Sequence, residues 1–130
     1  MAELSDSARK TIDAPNLAFL ATVMRDGSPQ VTPVWIAREN ENLTFNTAIG
    51  RVKERNIRRD PRVAISIADR DDPYDKVCVR GRVIEIVEGE EADRQIDELA
   101  KKYTGNDRYP WRRPGEIRIK VIVEPYSVAE

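Results

Sequence analysis

The chain has 130 residues, carries 22 Lys or Arg against 23 Asp or Glu, and contains no His. That length predicts one domain over residues 1–130, and the balanced charge gives no reason to expect a nucleic acid or an anionic membrane as a partner. Because nucleophile systems and metal sites that depend on imidazole are excluded, we expect no metal centre and assign any redox chemistry to a bound cofactor.

In chain order, hydrophobic periodicity and turn residues predict two or three short helices and about six strands, without βαβ alternation. The expected elements are a helix at 5–13, strands at 17–24, 30–37 and 43–48, a helix at 51–59, strands at 62–69 and 74–88, a helix at 89–102, and a strand at 117–129. Gly81 lies inside the long strand, which indicates a bulge or a bend. This order predicts a mainly β fold, an antiparallel barrel with helices outside.

The remaining composition bears on the cellular compartment. The single cysteine, Cys78, cannot form an internal disulfide, and it is interpreted as a structural strand residue. No apolar run approaches the ~20 residues that cross a bilayer, and the first residues lack the hydrophobic region of a signal peptide. We therefore expect a cytoplasmic protein with no membrane partner.

The helix predicted at 51–59 opens a basic window, since six Lys or Arg lie between Arg51 and Arg62. At about 100° per residue, four arginines share one side, and a solvated surface is the simpler interpretation of that side. These residues are Arg51, Arg55, Arg58 and Arg59.

The opposite side of this helix is expected to face the barrel, yet it carries Lys53 and Asn56. An unpaired charge there is costly, so Lys53 either extends to solvent or meets an anion. The backbone N–H groups at Gly50, Arg51 and Val52 also favour an anion, because they form the start of a helix. Arg51, Lys53 and Asn56 with these N–H groups therefore predict a phosphate-binding site.

The stretch "QVTPVWI" places Pro33 in the middle of a predicted strand, which is typical of an edge or a bulge. An edge strand has free backbone groups that could bind the polar edge of a ring, and Gln30 and Thr32 would share one side of it. The alternative is an ordinary hairpin strand in which Pro33 protects the edge from aggregation.

Three motifs in this order, "DGSPQVTPVW", "RVKERNIRRDPR" and "KYTGNDRYPW", resemble the PPOX-class coenzyme F420-dependent oxidoreductases. That family lies in the pyridoxamine 5′-phosphate oxidase-like group with an FMN-binding split-barrel fold, and the resemblance covers roughly residues 15–125. It implies a homodimeric, antiparallel split β-barrel that binds the deazaflavin coenzyme F420 in a groove at the dimer interface. The implied reaction is hydride transfer between the reduced deazaflavin and an unsaturated small-molecule acceptor.

The resemblance also implies a set of cofactor-binding positions. Its phosphate-binding residues correspond to Arg51, Lys53 and Asn56, with Val52 in the same turn, while Thr47 and Ala48 line the phosphate end. The deazaflavin ring would lie against Gln30, Val31, Thr32, Pro33 and Val34. The loop with Tyr109, Pro110 and Trp111 would lie close to the ring or the acceptor. No residue is assigned as catalytic.

Several alternatives stay open at this point. The same barrel could use FMN, because both cofactors offer a tricyclic ring and a phosphate. A non-catalytic protein that stores, carries or senses a flavin or deazaflavin is a further alternative, as is a structural dimer with an empty groove. Trp35 and Trp111 could stack on a ring, but buried aromatic residues more often fill a core or an interface.

Overall fold

A computed structural model describes residues 2–130, and its strands form one antiparallel sheet. The strands are β1 (Ala18–Val23), β2 (Pro29–Val34), β3 (Ala37–Glu39), β4 (Asn42–Ala48), β5 (Arg62–Ala68), β6 (Lys76–Val87) and β7 (Arg118–Ala129). The helices are α1 (Asp6–Asp13), α2 (Val52–Arg59) and α3 (Glu90–Thr104). The strand order is β2-β1-β5-β6-β7-β4-β3, with β2 and β3 at the two open edges. The prediction of a mainly β, antiparallel split barrel is confirmed.

Strand β3 is one element that the sequence analysis missed. One continuous strand was predicted at 30–37, but β2 ends at Val34, and a separate strand β3 at Ala37–Glu39 pairs with β4 across a two-residue reversal. The reversal itself occupies positions 40–41, where Asn40 has a positive φ of 55°. A three-residue strand of mostly polar residues has too few positions to show a hydrophobic period.

The core lies inside the curved sheet, and strand periodicity explains how it forms. In β5, Val63, Ile65 and Ile67 are buried while Arg62 and Ser66 are exposed. Every residue of β4 after its first is buried, because one face meets the barrel interior and α3 packs on the other side. The two-sided burial of β4 is consistent with its mixture of apolar and hydrogen-bonding side chains.

The predicted irregularity at Gly81 is confirmed. The register between β6 and β7 shifts between Arg80 and Gly81, and again between Val83 and Glu85. A β-carbon built on Gly81 would lie 2.6 Å from the backbone oxygen of Glu124, so no larger residue fits without movement. The bulge bends both long strands and helps to curve the sheet into a barrel.

The helices cover the outside of the barrel. Ser5 caps α1 by accepting a hydrogen bond from the backbone N–H of Ala8 at 3.0 Å. Helix α2 packs on β1 and β4, and α3 packs on β4 and β7 through a buried face that includes Ile96 and Leu99. None of the helices within residues 2–130 is both long and apolar enough to span a bilayer.

Candidate functional site

A cavity of about 340 Å³ opens where β2, β4 and β7 meet the start of α2 and the side of α3. Apolar and aromatic residues form much of its wall, and polar residues converge on the remainder, as in small-molecule sites. Its lining residues are Leu17, Pro33, Val34, Trp35, Asn46, Thr47, Arg51, Lys53, Ile96, Leu99, Tyr109, Trp111 and Arg118. We refer to it as the cationic cavity.

Three cations line this cavity, and two of them pair with the same carboxylate. Arg51 Nη2 lies 3.6 Å from Glu116 Oε2, and Arg118 Nη1 lies 3.1 Å from Glu116 Oε1. Lys53 has no ion pair with any carboxylate among residues 2–130. The cluster therefore carries an excess of positive charge, which a bound anion would compensate.

The pKa of Lys53 reflects this excess of positive charge. Partial burial lowers the pKa of its ammonium group from the usual 10.5, and repulsion from Arg51 and Arg118 lowers it further. An anion beside Lys53 would act in the opposite direction, because it favours the charged form. A negative ligand beside Lys53 would therefore offset the electrostatic cost of this partly buried ammonium group.

A buried hydroxyl in the wall lacks a partner. Thr47 is 1% exposed, and its Oγ1 atom makes no hydrogen bond within the described part of the chain. A buried polar atom without a partner is costly, so its presence in a cavity wall is a feature that a polar ligand would explain. Together with the three cations, this hydroxyl fits a phosphate group.

The start of α2 is only partly available to a ligand. Gly50, at a φ of 98°, donates its backbone N–H to Glu54 Oε1 at 2.9 Å, so an internal carboxylate already occupies that donor. Arg51 is the N-cap residue and provides no side-chain cap. The first turn therefore leaves space for an anion beside Arg51 but not at Gly50.

The faces of α2 differ from the helical arithmetic in two places. Lys53 is half-buried, and Asn56 and Ile57 are buried, as predicted. Val52 is instead 37% exposed and lies outside the cationic cavity, while Glu54 is 5% exposed and pairs with Arg58. The arithmetic missed Glu54 because it could not anticipate that a carboxylate would fold back onto its own helix start.

Asn56 lies outside the cationic cavity. Its Nδ2 donates to Thr22 Oγ1 at 3.0 Å and to Met24 Sδ at 3.3 Å. Its Oδ1 accepts from Arg59 at 2.7 Å. The side chain thus ties α2 to β1, and its polar atoms have internal partners rather than a phosphate.

Of the residues on β2 that were predicted to bind the ring, some line the cavity and others do not. Pro33 and Val34 line the cavity, and β2 is an edge strand, as Pro33 predicted. Gln30 accepts a hydrogen bond from Thr22 at 3.2 Å, and Val31 points outward with 62% exposure.

Thr32 and Ala48 complete the predicted positions. Thr32 Oγ1 is buried without a hydrogen-bond partner within residues 2–130, and Thr32 does not line the cavity. Ala48 is buried at the end of β4, and its carbonyl oxygen accepts the backbone N–H of Arg51 at 3.3 Å. Ala48 thus fixes the start of α2 without lining the cavity.

An aromatic wall faces the polar part of the cavity. Trp35 stacks on Tyr103 with ring centroids 5.4 Å apart, and Tyr109 meets Trp35 edge to face at 6.0 Å. Trp111 meets Tyr109 at 5.6 Å and is 57% exposed at the mouth. Trp35 therefore packs in the fold and also lines the cavity, while its stacking on a cofactor ring stays a prediction.

The loop that carries this wall is attached to α3. Asp97 accepts the backbone N–H of Tyr109 at 2.8 Å and pairs with Arg112 at 3.2 Å. The Arg118 guanidinium lies 5.2 Å from the centre of the Tyr109 ring, a cation–π distance. Because these contacts fix the loop without a ligand, its aromatic side chains are held in place before anything binds.

Seven of the residues predicted from the sequence line this cavity, and some lining residues were not predicted. Pro33, Val34, Thr47, Arg51, Lys53, Tyr109 and Trp111 line it. Arg118 and Asn46 were missed, although Arg118 and Lys120 alternate with apolar residues in "IRIKVIV", a signal that could have identified a buried basic pair. No group of three or more potential metal ligands occurs within residues 2–130.

Comparison with known proteins identifies relatives of similar size. A solved F420 reductase is 32% identical, with a TM-score of 0.84 over 97% of this chain and 98% of that one. A conserved hypothetical protein from Mycobacterium tuberculosis is 26% identical, with a TM-score of 0.74 over 96% of this chain and 82% of that one. General Stress Protein 26 from Bacillus anthracis, at 18% identity and a TM-score of 0.67, covers 95% of this chain and 89% of its own, and it shares the fold alone.

The family assignment rests on nearly the whole chain. Residues 4–124, which include every strand up to most of β7 and the entire lining of the cationic cavity, match the family described as pyridoxamine 5′-phosphate oxidase. The chain therefore belongs to the pyridoxamine 5′-phosphate oxidase family of flavin- or deazaflavin-type oxidoreductases.

Proposed function

We propose that this protein binds coenzyme F420 in the cationic cavity and catalyses hydride transfer between the reduced deazaflavin and an unsaturated organic acceptor. The observation that carries the proposal is the excess positive charge of Lys53, Arg51 and Arg118, which have only Glu116 as a paired carboxylate within residues 2–130, beside the unpartnered hydroxyl of Thr47. These groups fit a phosphate, and the adjoining aromatic wall and edge strand fit a planar ring. The similarity to an F420 reductase over 97% of the chain supports the deazaflavin as the cofactor.

The phosphate would be held by side chains more than by the helix start. Lys53 supplies a half-buried charge, Arg51 supplies the more exposed one, and Thr47 supplies a hydroxyl. Asn56 would act indirectly, because its contacts with Thr22 and Arg59 hold α2 at the position that presents Lys53.

The ring would lie between the edge of β2 and the aromatic wall. β2 pairs only with β1, so the backbone groups on its other side are available to the polar edge of a ring. Trp35 and Tyr109 provide apolar surface that excludes water. When bound, the reduced deazaflavin supplies the hydride, and the protein orients the ring and shapes the space for the acceptor.

FMN is the second candidate cofactor. Membership of the pyridoxamine 5′-phosphate oxidase family supports it. The cations of the cavity suit the phosphate of either cofactor. A non-catalytic carrier of either cofactor is the third candidate. It is favoured by the character of the ionisable groups that line the cavity, which are Arg, Lys and a Tyr phenol without a carboxylate.

Titration of the purified protein with both cofactors distinguishes these candidates. Tight binding of coenzyme F420 with weak binding of FMN is the expected result, and the absorbance of the bound species identifies each, since FMN has two visible bands and a deazaflavin has one. Rapid-mixing oxidation of the bound, reduced deazaflavin by a panel of quinones and other unsaturated acceptors then separates an enzyme from a carrier. Failure of both cofactors to bind would refute the proposal.

We further propose that the functional form is a homodimer joined through the outer face of the sheet. Two rows of mostly small and apolar residues, with Arg80 as the one charged member, cross five strands there, and the partners in each row are paired by strand register. One row is Pro33, Phe19, Ser66, Cys78 and Ala129, and the other is Val31, Ala21, Ala64, Arg80 and Ser127.

This outer face is suited to a second copy because it is largely apolar and exposed. Phe19 and Val31 are 48% and 62% exposed, and Pro33 belongs both to the face and to the cationic cavity. Exposed apolar surface of this kind marks an interaction site. A partner on the face would therefore lie at the margin of the cofactor site.

A charge placed in the face tests this arrangement. Phe19→Glu is expected to convert the dimer to a monomer in sedimentation-equilibrium experiments, because a carboxylate would be buried in an apolar contact. Ile84→Glu is the matched control, since Ile84 is 47% exposed on β6 outside the two rows. A dimer that persists in the Phe19 variant would show that the interface lies elsewhere.

A further inference from the structure

Arg118 is a buried cation whose guanidinium is held in one orientation. Its side chain is 6% exposed, Nε donates to Asn46 Oδ1 at 2.8 Å, and Nη1 donates to Glu116 Oε1 at 3.1 Å. The ring of Tyr109 covers the guanidinium at 5.2 Å. Within residues 2–130, Nη2 makes no hydrogen bond, although Arg118 lines the cationic cavity. One donor nitrogen is thus available to a ligand.

Asn46 sets the orientation of that guanidinium. Its Nδ2 donates to the backbone oxygen of Ala92 and to Gln95 Oε1, both at 2.9 Å and both on α3. These two acceptors direct the amide nitrogen towards the helix, so the amide oxygen faces Arg118. Asn46 and Arg118 are diagonal neighbours across β4 and β7, a separation that long side chains can bridge.

We infer that Arg118 donates to an anionic oxygen of the ligand in the cationic cavity and that Asn46 is the residue that positions it. The ligand is the cofactor or acceptor of the proposed function, on which this inference rests. The shared chemistry is an oxyanion, which could be a phosphate of the cofactor or a carboxylate of the acceptor. Neither residue belongs to the positions that the family resemblance implied.

Charge and burial argue against a purely structural Arg118. Within residues 2–130, Glu116 is the one carboxylate that pairs with it, and Glu116 also lies 3.6 Å from Arg51, so its single charge is divided between two guanidinium groups. A guanidinium that served only to join β7 to its preceding loop would be neutralised by its own partner, because a buried charge is costly without one. An anion in the cavity would neutralise the positive charge that Glu116 leaves uncompensated.

The test compares three variants with the wild-type protein. Arg118→Gln removes the charge, Asn46→Ala removes the support, and Arg82→Gln is the control, since Arg82 is an exposed arginine on β6 that pairs with Glu124 at 3.8 Å. Each protein is titrated with coenzyme F420, FMN and inorganic phosphate. Phosphate binding is followed through the NMR signal of the Lys53 side chain, which requires neither cofactor nor turnover.

Removal of Arg118 should weaken binding of the ligand that carries the oxyanion by roughly 10- to 150-fold, the range expected for one hydrogen bond to a charged group. Loss of Asn46 should weaken binding by roughly 2- to 12-fold, because the cation remains but is no longer oriented. In the unliganded protein, Arg118→Gln should raise the pKa of Lys53 by removing a repulsive charge, whereas Asn46→Ala should leave that pKa unchanged. A structural role for Asn46 alone would not produce this pattern.

The source of the oxyanion is decided by a matched pair of acceptors. If Arg118 contacts the cofactor phosphate, Arg118→Gln weakens phosphate and cofactor binding. If it contacts the acceptor, cofactor binding is retained, and KM rises for a carboxylate-bearing quinone but not for its methyl ester. Should Asn46→Ala fail to fold, Gln95→Met, which removes one of the two contacts that orient the amide, is expected to give a smaller loss in the same direction.

Failure of this inference is distinguishable from failure of the proposed function. Phosphate binding with no binding of either cofactor would refute the proposed function while supporting the anion site. Normal binding of phosphate, cofactor and acceptor by Arg118→Gln would overturn the inference while leaving the proposed function in place. The absence of phosphate and cofactor binding in the wild-type protein would overturn both.

Discussion

Replacement of Lys53 by Met should separate ligand affinity from folding stability. The change keeps the length of the apolar side chain and removes the ammonium group. In the unliganded protein that group is unfavourable, because burial and the charges of Arg51 and Arg118 lower its pKa below the usual 10.5. The variant is therefore expected to have an unchanged or increased free energy of unfolding, although it loses a binding contact.

The loss of affinity follows from the contact that Lys53 is proposed to make. One hydrogen bond from a charged group contributes about 1.5–3 kcal/mol, which corresponds to a roughly 10- to 150-fold weaker Kd for coenzyme F420. Wild-type binding should also weaken as the pH rises through the pKa of Lys53 in the complex, since only the charged form attracts the phosphate. This dependence on pH should be reduced in the variant.

Arg58→Met is the matched control because it removes a cation from the same helix outside the cavity. Arg58 is paired with the buried carboxylate of Glu54, so its loss should lower the free energy of unfolding by about 1–3 kcal/mol and leave Kd unchanged. Fluorescence titration gives Kd, and urea denaturation gives the stability. Equal losses of affinity in the two variants would refute the assignment of Lys53 to the anion site.

Three further changes test other parts of the structure. Gly81→Val should lower the free energy of unfolding by about 1–3 kcal/mol, because its β-carbon would collide with the backbone oxygen of Glu124, and unaltered urea denaturation would show that the bulge repacks freely. Thr47→Val should increase the stability of the unliganded protein by about 1 kcal/mol or leave it unchanged while weakening cofactor binding, since it removes a buried hydroxyl without a partner; a stability loss in calorimetry would contradict that view. Burial lowers the pKa of Lys102 to about 8, so between about pH 8 and 10.5 the unfolded chain binds the proton that the folded chain has released, and stability should rise with pH across that window. Lys102→Met should remove this rise, and an identical pH–stability slope in wild type and variant would rule it out.

Local patterns in the sequence were sufficient for much of the fold. Alternation in "RVAISIA" specified β5, Ser5 specified the start of α1, and Gly81 specified the irregularity in the long strand. Each of these signals depends on the intrinsic preference of a residue or on a period of two, which requires no knowledge of distant parts of the chain. Strand β3 was missed because three residues cannot display a period.

Helix α2 shows which features of the site the sequence predicts and which depend on tertiary packing. Composition and helical geometry were enough to predict that Lys53 lies on the inward side of the helix, and its partial burial agrees with that prediction. That it meets an anion stays a prediction. The same reasoning grouped Asn56 with the phosphate site. Tertiary packing instead supplied Asn56 with partners on β1, because a neighbouring strand offered a hydroxyl and a thioether at hydrogen-bond distance.

What only the tertiary structure decided is the composition of the cavity. Arg118 and Asn46 are separated by 72 positions in the chain, and the register of β4 against β7 brings them together. Helical and strand periods determine which side of an element a residue occupies, but not which distant element lies opposite. The sequence by itself therefore determined most of the elements and the inward side on which Lys53 lies, whereas the pairing of strands determined which other charges surround it, since long-range contacts follow from packing rather than from local preference.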